Sequence, residues 1–237
     1  MTLSLAALAV AFLGILLLAA AGPVYRTGLS LQTAFGVLRW GAYVGAAGVV
    51  VGIVAMLNAK WRHQRKAGWV AALALVTGIA AVAIPYSWQR RASSVPPIHD
   101  ITTDLDKPPE FQAIVPLRAD APNTLERPPI LAQQQREGYP ELAPLTIPLP
   151  PDRVFNRALD VAGRMGWEVV ASDQPSGRIE AVDTTRWFGF KDDVVVRVTP
   201  WGSGTRVDVR SVSRVGRSDV GTNARRIRDF LDNLQDE

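Results

Sequence analysis

Residues 40–57 read WGAYVGAAGVVVGIVAML, 18 consecutive positions without a charge. An α-helix of that length rises about 27 Å, close to the ~30 Å hydrocarbon core of a bilayer. Two further runs share the property: Leu3 to Ala21, 19 residues, and Gly68 to Ile84, 17 residues. A helix in a soluble core keeps one polar face, so three runs that are apolar all round predict three transmembrane helices. Trp40, Trp61, Trp69 and Trp88 stand near the ends of the second and third runs. Amphipathic rings favour the headgroup level of a bilayer, which is therefore the first partner the sequence implies.

The second run carries Gly41, Gly45, Gly48 and Gly52, two GxxxG pairs that let helix backbones approach closely. Such helix-packing glycines suit a neighbour in the same chain or the same helix of a second copy, a homodimer. Between the second and third runs, Lys60-Trp61-Arg62-His63-Gln64-Arg65-Lys66 concentrates four positive charges in seven residues. Positive-inside logic places this turn in the cytoplasm. The expectation is then a multi-pass protein of the bacterial inner membrane whose C-terminal part is periplasmic. Arg26, Arg39, Arg90 and Arg91 fall on the other side but are less dense. Ala19-Ala20-Ala21 resembles a signal-peptide cleavage site. No positive charge precedes the run and it is long for a signal core, so it is expected to stay as a span.

Charge divides the chain further. Residues 1–91 contain eight Lys/Arg and no Asp or Glu, and the remaining 146 residues carry 18 Lys/Arg against 22 Asp/Glu. The isoelectric point near 9.7 therefore belongs to the membrane part and is no footprint of nucleic-acid binding. With no cysteine, disulfides, thiolate metal sites and cysteine nucleophiles are excluded.

Residues 92–151 form a proline-rich connector, with 13 prolines from Pro96 to Pro151. Proline density of this kind disfavours long helices and interior strands. Phe111, Ile114, Val115, Leu117, Ile130, Leu131, Tyr139, Leu142, Leu145 and Ile147 are too many apolar residues for a freely solvated spacer, so parts of it are expected to pack on the domain that follows. His99, Asp100 and Asp104 near its start offer metal-ligand chemistry, but local turn hydrogen bonding is the plainer expectation. No metal and no cofactor is predicted.

Residues 152–237 read as helix, four strands, helix. Asp152 suits an N-cap; Val154, Phe155, Ala158, Leu159 and Ala162 give an apolar helix face. The strands alternate: Trp167, Val169 and Ala171; Ile179, Ala181 and Asp183; Val194, Val196 and Val198; Val207, Val209, Ser211 and Ser213. A last helix after Ser218-Asp219 buries Val220, Ala224, Ile227, Phe230, Leu231 and Leu234. The expected fold is three transmembrane α-helices followed by an α+β domain: a helix, a four-stranded antiparallel sheet and a helix in a two-layer sandwich.

Gly189-Phe190-Lys191-Asp192-Asp193, Arg210-Ser211-Val212-Ser213-Arg214-Val215-Gly216 and Ser218-Asp219-Val220-Gly221-Thr222-Asn223-Ala224-Arg225-Arg226-Ile227 resemble the bacterial and plant domain of unknown function 1499 family. The resemblance runs from about Ile98 to Leu234. It implies no activity, substrate or cofactor. The helix-grip order is also similar to envelope lipoprotein domains of outer-membrane assembly accessories, which is an analogy of fold alone.

The densest polar group is Asp183, Trp187, Asp192, Asp193, Arg210, Arg214, Asp219 and Asn223. Arginines near a helix start suit an anion, so these residues are the candidate ligand-binding set; an ion-pair network pinning the last helix is the other reading. No histidine follows His99, which leaves no Ser-His-Asp triad in the domain. The leading expectation is an envelope protein whose C-terminal domain is a binding or accessory module for a protein or an anionic ligand. The alternative is an enzyme acting on an envelope lipid or glycan through Asp183, Asp193, Arg210 and Arg214.

Overall fold

The computed structural model describes residues 1–236. The chain divides into two compact units, one of Met1–Arg91 with Arg186–Gly189, the other of Ala92–Thr185 with Phe190–Glu237.

In the first unit three helices are long and apolar enough to cross a membrane: α1 (Thr2–Arg26), α2 (Leu31–Trp61) and α3 (Arg65–Ser93). Each outruns its charge-free run, because the flanking residues continue the helix beyond the apolar span. Their buried positions are nearly all small and recur at alternating spacings of three and four: Ser4, Ala7, Ala11, Gly14, Leu18 and Ala21 in α1; Gly41, Gly45, Gly48, Gly52, Ala55 and Ala59 in α2; Ala67, Ala71, Ala74, Gly78 and Ala81 in α3. The large apolar side chains point outward instead; Phe12, Val50, Leu57 and Val76 are all more than half exposed. Water would reverse this arrangement, whereas lipid tails solvate the large side chains and leave close contact of small ones as the adhesive.

The four glycines of the paired motifs face helices of the same chain. A Cβ at Gly48 would stand 2.7 Å from the Ala11 backbone, one at Gly41 2.9 Å from the Gly14 carbonyl, and one at Gly52 2.9 Å from Leu75. A homodimer through these glycines would have to displace α1 or α3. Gly48→Leu is accordingly expected to force α1 and α2 apart. Introduced cysteines at Ala7 and Ala55, clean probes in a cysteine-free chain, should lose most of their cross-linking yield in that variant; an unchanged yield would contradict the packing.

The second unit is built on an antiparallel sheet of six strands: β1 (Asp100–Thr102), β2 (Leu145–Ile147), β3 (Glu168–Asp173), β4 (Arg178–Thr184), β5 (Lys191–Trp201) and β6 (Gly204–Ser213). The expected count of four is corrected because the connector supplies two more. β1 and β2 lie end to end along one edge of β6, Asp100–Thr102 opposite Val212–Arg210 and Leu145–Ile147 opposite Val207–Thr205. From there the order is β6, β5, β4, β3. The connector also forms a short 3₁₀ turn, Val115–Arg118, and a helix, α4 (Pro129–Gly138), with Pro129 at the first helical position, where a missing N–H costs nothing.

Helices α5 (Pro151–Arg164) and α6 (Thr222–Gln235) cover one face. Their apolar stripes meet Ile179, Ala181, Val194, Val196, Val198, Val207 and Val209, together with Ile98, Ile101 and Ile147 from the connector. Trp167 stacks on Phe230 at 5.1 Å within this core. Asp152 is not the N-cap of α5; Pro150 holds that place and Asp152 sits in the first turn, where a carboxylate still favours the helix dipole. In β3 the alternation breaks, since a bulge between Val169 and Ala171 shifts the register. Ala171 is thereby set opposite Glu180 rather than on the Ala181 face.

The other face of the sheet carries Val170, Val182, Val195 and Val212, and the connector lays Phe111, Ile114 and Leu125 on it. The outer edge of β1 is closed by side chains. Gln135 of α4 accepts from the Thr102 N–H at 3.1 Å and donates to its carbonyl at 2.5 Å, while Arg127 donates to the Asp100 carbonyl at 2.7 Å and to the Gln135 oxygen at 2.7 Å.

Candidate functional site

The candidate residues separate according to the pleat. Asp192 and Asp193 are adjacent on β5, so their side chains leave on opposite faces. On the helix face, Asp192 pairs with Arg226 at 2.6 Å, and Asp183 pairs with the same guanidinium at 2.7 Å. Arg226 also donates to Ser211 at 3.0 Å. Asn223, fully buried, accepts from Ser211 at 2.8 Å and donates to the His99 carbonyl and to Ser213, each at 3.0 Å. Asp219 accepts from the Gly221 and Asn223 backbone N–H groups at 3.0 and 2.6 Å, which caps α6. The chain enters that helix through two successive left-handed residues, Val220 (φ 54°) and Gly221 (φ 76°). Val220 therefore precedes α6 and does not belong to its buried stripe. The Ser-x-Ser-Arg and Ser-Asp-x-Gly-x-Asn segments thus tie α6 to β6 and to the connector strand.

On the connector face, a layer of carboxylates meets arginines from both sheet and connector. Asp193, fully buried, is held by Arg214 at 2.7 Å and by Arg118 at 3.1 Å. Arg210 pairs with Asp100 at 2.8 Å, and Arg127 approaches the same carboxylate at 3.0 Å. Asp208 receives Arg197 at 2.9 Å and Arg206 at 3.0 Å, and both arginines also reach Asp104, at 2.9 and 2.8 Å. Glu180 accepts from Arg178 at 3.1 Å and from the backbone N–H groups of Gln112, Ala113 and Ile114 at 2.9, 3.1 and 2.9 Å. Hence Asp183 lies on one face while Asp193, Arg210 and Arg214 lie on the other. Trp187 belongs to the first compact unit, where its indole donates to the Ala19 carbonyl at 3.2 Å and its ring lies 5.0 Å from Trp88.

Two of the three candidate metal ligands, Asp100 and Asp104, are likewise occupied within the fold. Asp104 accepts the backbone N–H groups of Asp106 and Lys107 in a turn, at 3.2 and 2.9 Å, and Asp100 is engaged by its two arginines. Among the described residues no group of three His, Asp or Glu side chains gathers as a metal site.

The profile of the family described as protein of unknown function (DUF1499) matches residues 100–234. The chain belongs to that family. No curated protein matches it. The matched region begins in β1 and ends in α6, and so takes in the connector residues that cover the DUF1499 sheet.

One cleft in the second unit lies where sequence reasoning did not look. It measures about 250 Å³ and is lined by Lys107, Pro108, Pro109, Glu110, Gln112, Ser176, Arg178, Val195 and Arg197. The register of β4 and β5 sets Arg178 directly opposite Arg197, a like-charge pair that is unfavourable unless anions flank it. Glu180 and Asp208 do so from within the sheet. Lys107 adds a third cation at the rim and Glu110 a carboxylate, while Asp104 also holds Arg197 at 2.9 Å and Asp173 reaches Arg178 at 3.5 Å. The register of β4 against β5 was the missing signal, because pairing cannot be read from either strand alone.

Burial pushes the Asp104 carboxyl up, but the Lys107 backbone N–H, the Arg206 charge and the Arg197 hydrogen bond outweigh it and hold it below the ordinary value of 3.8. A depressed carboxylate stabilises the fold above its unfolded pKa and loses that contribution as pH falls through the folded one. Asp219 shifts the opposite way, raised chiefly by burial, and its contribution opposes the loss. Below about pH 4 the domain is expected to lose stability, and Asp104→Asn to flatten that acid limb while lowering stability at pH 7. Denaturant midpoints measured from pH 7 to pH 2 check this, and parallel curves for the two proteins would contradict it.

Proposed function

We propose that this DUF1499 protein is a membrane-anchored component of the bacterial cell envelope, its second unit a binding module for an anionic ligand or an acidic protein segment. The supporting observation is the cleft at which Arg178 and Arg197 stand opposite one another beside Lys107. Arg197 is committed to Asp104, Asp208 and the Lys107 carbonyl, and Arg178 to Glu180 and Asp173, so the Lys107 ammonium and the outer edge of Arg178 are the groups that would meet a carboxylate or phosphate there. The dense positive charge of residues 60–66 supports placing that turn in the cytoplasm and the second unit in the periplasm.

A photo-crosslinking residue at Gln112, in full-length protein in intact cells, tests the module. The expected result is one dominant adduct that Lys107→Glu reduces at least about fivefold, since reversing a charge near a bound anion costs on the order of 1 kcal/mol or more. No adduct, or one indifferent to Lys107→Glu, would overturn the reading. Orientation is tested separately by a reporter fused after residue 237: activity of a cytoplasm-only reporter would reverse the proposed topology.

A further inference from the structure

The turn between α2 and α3 borders two shallow cavities that share His63, Gln64 and Arg65. One, about 470 Å³, extends toward Lys60, Met56 and Gly68. The other, about 500 Å³, extends toward Lys66 and the start of α1. His63 holds a left-handed backbone (φ 52°), so the turn is tight, and the Gln64 N–H closes onto the Ala59 carbonyl at 2.8 Å. Lys60, Arg62, Arg65 and Lys66 cluster here, while residues 1–91 contain no Asp or Glu. This unit therefore supplies no carboxylate side chain to balance them. The flanking Trp61 and Trp69 are about 80% exposed, at 80% and 79%, as befits rings at the headgroup level.

We propose that the α2–α3 turn is a binding site for a diphosphatidyl lipid headgroup of the cardiolipin class, one phosphate in each cavity and Arg65 between them. Three observations carry it. The cations stand at the end of two spanning helices, where lipid phosphates lie. The cavities are paired and share their central residues, which matches a headgroup of two phosphates joined by a short bridge rather than a single phosphate. Their linings pass from Lys60, Arg65 and Lys66 to Met56, Ala59 and Ala67, the polar-to-apolar sequence a phospholipid presents. Gly68 lines the first cavity, and a Cβ there would meet no atom within 4 Å, so a larger side chain has room to enter.

The test uses the full chain reconstituted in phosphatidylcholine vesicles, with spin-labelled cardiolipin or spin-labelled phosphatidylglycerol compared at equal phosphate content. Cardiolipin is expected to associate at least about fivefold more strongly than phosphatidylglycerol. Lys60→Gln should weaken it about fivefold, the effect of one basic residue near an anionic surface. Gly68→Leu retains every charge, fills one cavity, and should bring the two lipids to near-equal association. Equal association of both lipids with the unmodified protein would show a general surface charge and overturn the site. So would a Gly68→Leu or Lys60→Gln protein that keeps the full preference.

Discussion

Asp193→Ala is expected to lower the stability of the second unit by about 3–5 kcal/mol, the cost of breaking a buried ion pair from one side. The Asp193 carboxylate is fully buried, is hydrogen-bonded by Arg214 through Nε and Nη2, and is paired in charge with Arg118, whose Nη1 stands 3.1 Å away without a hydrogen bond. Burial already pulls the Arg118 guanidinium below its ordinary pKa, and the neighbouring Arg214 and Arg210 pull in the same direction against Asp193. Removing the carboxylate leaves Arg118 and Arg214 facing each other with no anion between them. For a unit of this size, the melting temperature of the full chain in detergent should fall by roughly 10 °C. Asp193→Asn should fall nearly as far, because it preserves shape and removes only charge. Replacing Asp193, Arg118 and Arg214 together with apolar residues should recover much of the loss. An unchanged melting temperature in Asp193→Ala would mean that water reaches these guanidinium groups.

Glu180→Ala is the second large effect, and a local one. Its two oxygens accept three consecutive backbone N–H groups of the connector, Gln112 to Ile114, besides the Arg178 guanidinium. Phe111 and Ile114 are buried against the sheet on either side of that contact. With the carboxylate gone, the buried Ile114 N–H loses its acceptor, at about 1–3 kcal/mol before relaxation, and the part-buried Gln112 and Ala113 N–H groups lose theirs at a smaller cost. The segment is expected to detach before the sheet does. Hydrogen exchange at Gln112–Ile114 should accelerate at least about 100-fold, equivalent to ~2.7 kcal/mol, and proteolysis near residues 110–118 should appear in the folded protein. Uniform acceleration across β4, β5 and β6 would instead mean that Glu180 holds the sheet itself.

The sequence reading succeeded where one physical pattern governs a long stretch. Three charge-free runs require lipid or deep burial, and valine alternation from Asp193 to Val209 requires strands with one apolar face. It failed where the determining contact is distant. β1 and β2 are three residues each and have no periodicity of their own; they are strands because β6 offers them an edge. In α4 the buried position is Gln135, invisible as a core residue because its partner is the Thr102 backbone. The candidate polar set joined residues that are neighbours along the chain, but the pleat divides them; Arg226 lay within the family-like stretch without being singled out, and Arg118 and Arg127, which complete the other ion pairs, carry no local mark. The cleft cations Lys107, Arg178 and Arg197 converge only once strand register and the connector's path are known.

The closed edge of β1 has a consequence for the protein among its own copies. A sheet edge with free N–H and C=O groups is a template on which another strand can add. A membrane confines molecules to a plane, where encounters between neighbouring copies are frequent. Here Thr102 offers neither group, both being held by Gln135, and the Asp100 carbonyl is covered by the charged Arg127. An approaching strand would have to displace a glutamine amide and desolvate a guanidinium to gain its first hydrogen bond. Neighbouring copies can therefore crowd together without that edge becoming a seed for polymerisation.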